Sequence, residues 1–222
     1  MDHSRVFDQE MAHVKDLILK MGVMVQGLIK RSVESLKDLN RQKAEEVIKD
    51  DEKVDQLELE INEKCVELVA LRQPEASDLR FLMTGLRLVT DLERIGDLAE
   101  DIAQRTLELA DKPLPKPLID IPKMAQLTQE AVALALDAFV NSDITKAKLI
   151  WEKEKEVDQL RDRVQDELIE VMQKNASTVP QALALLLAAR HLERISDHAT
   201  NIAEDVIYMV AAKVVKHQSH KT

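Results

Sequence analysis

The hexapeptide Leu92-Glu93-Arg94-Ile95-Gly96-Asp97 returns later in the chain as Leu192-Glu193-Arg194-Ile195-Ser196-Asp197. Ala99, Ile102 and Ala103 return in the same register as Ala199, Ile202 and Ala203. Upstream, Lys53-Val54-Asp55-Gln56-Leu57 is matched by Glu156-Val157-Asp158-Gln159-Leu160. Two separate blocks, in the same order in each half, make internal duplication the strongest constraint on the fold. The offset between copies differs slightly for the two blocks, as a difference in one loop length would give.

Chain breakers divide the sequence into six amphipathic stretches. They run from about Arg5 to Leu39, Gln42 to Arg72, past Gln73-Pro74 to Ala110, then Pro122 to Val140, Asp143 to Lys174 and Val179 to Lys213. Capping residues mark the breaks at Asn141-Ser142-Asp143 and Asn175-Ala176-Ser177-Thr178. Between the third and fourth stretches lie Pro113, Pro115, Pro117 and Pro122, which read as a semi-rigid linker. With only 4 Gly and 6 Pro in 222 residues, 45% apolar and 32% charged, long helices are favoured over a turn-rich β architecture. The expected fold is all-α: two tandem three-helix bundles, residues 1–112 and 113–222, related by duplication. One continuous core is possible, but the linker favours two separate bundles. Aromatic residues make up 2%, so Leu, Ile, Val, Ala and Met must fill the core.

A net charge of -10 and few aromatic rings exclude the basic, base-stacking surface that nucleic acid requires. The longest apolar run, Ala182 to Ala189, is far short of a bilayer span, and the acidic N-terminus has no signal-like apolar region. A cytoplasmic location is expected. Cys65, the single cysteine, falls on the stripe of Val54, Ile61 and Leu68 and reads as a buried structural thiol.

Helical geometry singles out the acids. At about 100° per residue, Leu82, Leu86, Val89, Leu92, Gly96, Ala99 and Ala103 share one face of the third stretch. Glu93 lies inside that face and Asp97 at its margin. Glu193 and Asp197 repeat the arrangement in the sixth stretch. In the second stretch Asp51 and Asp55 flank the apolar face, and in the fifth Glu154 and Asp158 hold matching positions. Like charges spaced i, i+4 destabilise a helix by about 0.2–0.5 kcal/mol when exposed, and partial burial raises the cost. Two compensations are open. The acids can pair with Arg94, Arg194, Arg87 or lysines in surface networks, which is the better reading for any one pair. Four pairs kept in register favour a cation instead: carboxylates converging from two helices form a hard oxygen-rich site that suits Mg, Mn, Ca or iron. Di-iron bundles carry a Glu-x-x-His motif on each of two helices, and this chain has a single match, Glu10-Met11-Ala12-His13.

His191 and His198 read as surface histidines facing away from Glu193, His217 and His220 as residues of a polar tail, and Trp151 as partly buried packing. The chain has no Gly-rich phosphate loop, nucleophile elbow, Cys-x-x-Cys pair or His-Glu-x-x-His helix, so no enzymatic activity is expected. A metal-dependent phosphatase or oxidase and a metal-storage protein stand as alternatives. Long helices with exposed apolar edges can pair, so a homodimer is expected.

The segment Asp91-Leu92-Glu93-Arg94-Ile95-Gly96-Asp97 strongly resembles the PhoU family, as do Gln73-Pro74-Glu75-Ala76-Ser77-Asp78-Leu79-Arg80 and Arg190-His191-Leu192-Glu193-Arg194-Ile195-Ser196-Asp197. The resemblance spans essentially the whole chain. It implies multinuclear metal sites at Asp51/Asp55, Glu93/Asp97, Glu154/Asp158 and Glu193/Asp197. Asp101 continues the first run and Asn201 stands at its equivalent, while Arg161 replaces Glu58, so the two sites need not bind metal equally. The metal implied is a divalent or trivalent ion (iron, Mn, Mg or Zn). The resemblance also implies a negative regulator of the phosphate-starvation response. Such a regulator would link the ATPase of the phosphate ABC transporter to a sensor histidine kinase, at the membrane but through protein partners.

Overall fold

The structure, a computed structural model, describes residues 3–109 and 112–213. Six long helices follow one another: α1 (His3–Asp38), α2 (Arg41–Arg72), α3 (Ala76–Leu109), α4 (Asp120–Asn141), α5 (Ile144–Lys174) and α6 (Val179–Ala211). A single 3-10 turn, Ala176–Thr178, leads into α6. The predicted breaks are where the helices end. Asn40 caps α2 by accepting from the Lys43 amide, and Asp143 caps α5 by accepting from the Thr145 and Lys146 amides at 2.8 and 3.2 Å. Pro122, read from sequence as a helix start or linker residue, sits in the first turn of α4, where its missing N–H leaves no bond unmade. His217 and His220 lie outside the described residues.

Helices α1, α2 and α3 pack together as one bundle and α4, α5 and α6 as a second. The linker favoured two separate cores, but the two bundles share one. Helix α3 lies along α6 and α1 against α4, and the buried apolar side chains form a single cluster reaching from Met11 to Met209. Phe81 of α3 stacks on Phe139 of α4 with ring centroids 4.6 Å apart. The close approach of α1 and α4 depends on Gly22, where a Cβ would stand 2.2 Å from a Leu136 methyl. The proline-rich segment is part of this packing: Leu114 and Leu118 rest on the core, and Lys116 pairs with Glu167 of α5. Cys65 is fully buried, and burial pushes its thiol up to about 11. Trp151 is half-buried against the core. Among the described residues, no helix is long and apolar enough to cross a membrane.

Candidate metal centre

In the first repeat α2 and α3 lie side by side, and the acids on their facing edges meet. One carboxylate oxygen from each of Asp51, Asp55 and Asp97 lies within 4.8 Å of the others, the only such acidic or His/Cys group among the described residues. Asp51 is 4% exposed, and its Oδ1 is buried with no hydrogen-bond partner. Its place is made by Gly96 of α3, where a Cβ would stand 2.5 Å from Asp51 Oδ1. Glycine here provides room for a carboxylate against a helix backbone rather than freedom to turn.

The electrostatics follow from this crowding. Burial, then the nearby Asp55, Glu100 and Asp97, raise the Asp51 carboxyl to about 7. Burial and Asp97 raise Asp55. Glu93 is raised by burial and Asp97 against the pull of Arg94. Its Oε2 is buried without a hydrogen bond, although Arg94 Nε lies 3.4 Å away. Arg94 also reaches Asp97 at 3.0 Å. Surface pairing of the kind weighed from sequence is therefore present, but one exposed arginine faces several acids.

Asp101, read from sequence as continuing the first acidic run, lies 3.6 Å from His191 of α6. Glu100, one residue earlier, is the acid that acts on Asp51. Glu93, Asp97 and Glu100 are spaced i, i+4, i+7, and Asp101 at i+8 continues the same acids about as regularly, so helical spacing alone does not choose between Glu100 and Asp101.

In the second repeat Glu154 and Glu193 are buried, and Glu193 Oε2 has no hydrogen-bond partner. Asp158 and Asp197 lie within electrostatic reach of Glu193, which is raised by burial and Asp197 and pulled back by Arg190 and Arg161. Asp197 is raised by desolvation and then by Asp158. Arg190 Nη1 meets Glu193 Oε1 at 2.6 Å. Asn201 is exposed, its amide 3.5 Å from Asp91 Oδ1, away from the second cluster.

The two histidines read as surface residues occupy the seam between repeats. His198 Nδ1 lies 2.8 Å from Asp91 Oδ1, and His191 lies near Asp101. Both rings are largely covered, with 19% and 15% of their side-chain surface exposed. The face pointing away from Glu193 thus points at the other repeat, a contact that no single-helix projection reveals. Arg87–Asp205 at 3.2 Å and Arg80 Nε donating to the Met209 carbonyl at 3.3 Å complete the polar side of this seam.

The PhoU domain model matches the chain twice, over residues 18–106 and 121–206. A phosphate-specific transport system accessory protein PhoU homolog of Aquifex aeolicus is 40% identical over 213 residues, covering 96% of both chains. The crystal structure of PhoU from Pseudomonas aeruginosa superposes with a TM-score of 0.89 at 36% identity, covering 93% of this chain and 100% of that one. The crystal structure of the phosphate transport system regulatory protein PhoU from Streptococcus pneumoniae gives 0.87 at 29% identity, covering 95% and 99%. With its duplicated three-helix plan, its recurring acidic motifs and these matches along nearly its full length, the chain belongs to the PhoU family.

Proposed function

We propose that this chain regulates phosphate transport by binding other proteins, repressing the phosphate-starvation response when phosphate is plentiful. The observation that carries this reading is the match to phosphate-transport accessory and regulatory proteins along nearly the whole chain, in both sequence and fold. The partners we assign are the ATPase subunit of the phosphate ABC transporter and the sensor histidine kinase. The chain would meet them at the cytoplasmic face of the membrane, without inserting and without turnover of its own. The test is deletion of the gene in its host, with alkaline phosphatase measured in phosphate-replete medium. High constitutive activity, returned to low by the intact gene, supports the regulator. Normal repression in a strain without any second copy refutes it.

We further propose that the first repeat holds a metal ion through Asp51, Asp55 and Asp97, with Glu93 alongside. The support is the Asp51 Oδ1, buried without a hydrogen bond, and the space that Gly96 leaves for it, since a buried carboxylate oxygen with no partner is costly and a cation would offset it. All-oxygen donors suit iron, Mn or Mg better than Zn. When bound, the ion supplies positive charge that ties α2 to α3. Glu93→Ala should lower bound metal more than it lowers helix content by circular dichroism. Unaltered metal content in that variant would remove Glu93 from the site.

A further inference from the structure

Duplication shows which exposed apolar side chains are kept in both copies of one unit. Scattered apolar residues on a surface are ordinary, and a lone one is free to turn polar in either copy. Most have done so. In the register that aligns Asp55 with Asp158, exposed Val23, Leu59 and Leu71 are answered by Gln126, Asp162 and Lys174, and exposed Leu149 by Glu46. The first turns of α3 and α6 behave differently. In the register that aligns Glu93 with Glu193, Leu79 and Met83 are 37% and 47% exposed, and their counterparts Val179 and Leu183 are 40% and 49%. Both copies keep the same apolar pair, open to solvent to the same degree. Val66 and Ile169 are a further match, one residue on each outer helix.

The symmetry of the fold fixes where these pairs point. Asp91 faces Asn201 and, at the matched positions, His191 faces Asp101, so α3 and α6 run antiparallel about a pseudo-two-fold axis beside Gly96 and Ser196. Gly22 meets Leu136, and the matched Val33 and Ala125 line one groove, so the same axis relates α1 to α4. An axis passing between both helix pairs stands across the α3–α6 face and brings the two apolar pairs out on one side of the molecule. Counting ~1.5 Å per residue outward from Gly96 and Ser196, the pairs stand about 45 Å apart. Each stripe continues inward into arginines: Leu79, Met83, Arg87 and Arg94 share one face of α3, and Val179, Leu183, Arg190 and Arg194 one face of α6. Arg87, Arg94 and Arg190 each bond a carboxylate of this chain, yet their side chains stay more than half exposed. Guanidinium donors are thus left over between two apolar ends, on a chain whose net charge is -10.

We propose that the α3–α6 face is a two-point docking surface for a two-fold symmetric protein, each of whose identical subunits sets an apolar side chain on one pair and acidic groups against the arginines. A homodimer presents one surface twice, and it is the commonest closed assembly. This chain, a tandem duplicate with a shared core, offers the matching surface twice across a fixed span. Each point alone is small, so the strength comes from engaging both at once. This docking rests on the protein-binding reading above and adds the surface, the symmetry and the stoichiometry, one chain across one dimer.

The test titrates the phosphate ABC transporter, held in nanodiscs with its paired ATPase subunits, with the full-length chain. Wild type should bind at one chain per transporter. Leu79→Gln/Met83→Gln and Val179→Gln/Leu183→Gln should each weaken binding about 100-fold or more, with helix content retained by circular dichroism. If either pair of exchanges costs helix content, Met83→Lys or Leu183→Lys alone decides the same point. Wild-type affinity in either variant, or two chains per transporter, overturns the docking surface and leaves the protein-binding reading intact. If the transporter does not bind, the full-length sensor kinase is titrated with the same variants under the same criteria, and no binding to either protein refutes that reading and the docking surface with it. A wild-type chain that sediments alone as a dimer, with both variants monomeric, assigns the face to a second copy and likewise overturns the proposal.

Discussion

Asp51 shows how a single carboxylate can set the response of a protein to acid. Its ordinary value of 3.8 is raised to about 7 in the folded chain. Between those values the folded state therefore binds more protons at this site than the unfolded chain. Stability from this group is full below about 3.8 and is lost as pH rises towards about 7. Asp55 and Glu93, both raised, act in the same sense. His191 acts oppositely: burial lowers it, so its contribution is lost as pH falls below its ordinary 6.5. Metal-free protein should consequently melt at a lower temperature at pH 7 than at pH 5, and Asp51→Asn should flatten that difference. An unflattened profile in the variant would assign the pH dependence elsewhere. The acids of this site were legible in the sequence because they break an apolar stripe. Glu100 was passed over because i+8 and i+7 look alike until a partner helix is placed beside them.

At the scale of the helices, the ends followed from the sequence and the neighbours did not. Asp143 and Asn175, at the breaks read from sequence, and Asn40, which that reading did not single out, cap the start of the helical segment that follows, each accepting a backbone amide. Which helix lies against which depends on surface shape, which a periodicity cannot encode. The α1–α4 approach is an example: Gly22 looks like a weak point in a helix, yet it is where Leu136 of the other repeat enters. Gly22→Ala gains helix propensity of at most ~1 kcal/mol and incurs overpacking of about 1–3 kcal/mol. The net expectation is a thermal midpoint lower by a few degrees, read by circular dichroism, with helix content retained. A rise in the midpoint would show that Leu136 yields without penalty.

For the molecule as a whole, the proline-rich linker misled because composition describes stiffness and not what the flanking units touch. Leu114 and Leu118 join the core, and the Phe81–Phe139 stack crosses between the halves. A shared core makes the six helices one cooperative unit. Calorimetry should give a single unfolding transition whose calorimetric and van't Hoff enthalpies agree. Two resolved transitions would mean that the halves hold their structure independently.

The seam between the halves has a consequence for self-recognition. Position 91 and its repeat 191 face positions 201 and 101, giving Asp91 with Asn201 and His191 with Asp101. Two copies of the first half, joined through the same surface, would instead set Asp91 against Asp101 twice. Like charges facing each other across a half-covered surface disfavour that union, while the pairing within one chain has none of this repulsion. Duplication of a self-associating unit leaves both halves competent to find the wrong partner. Here the divergence of a few side chains leaves the first half less suited to a copy of itself than to the sister to which it is already tethered.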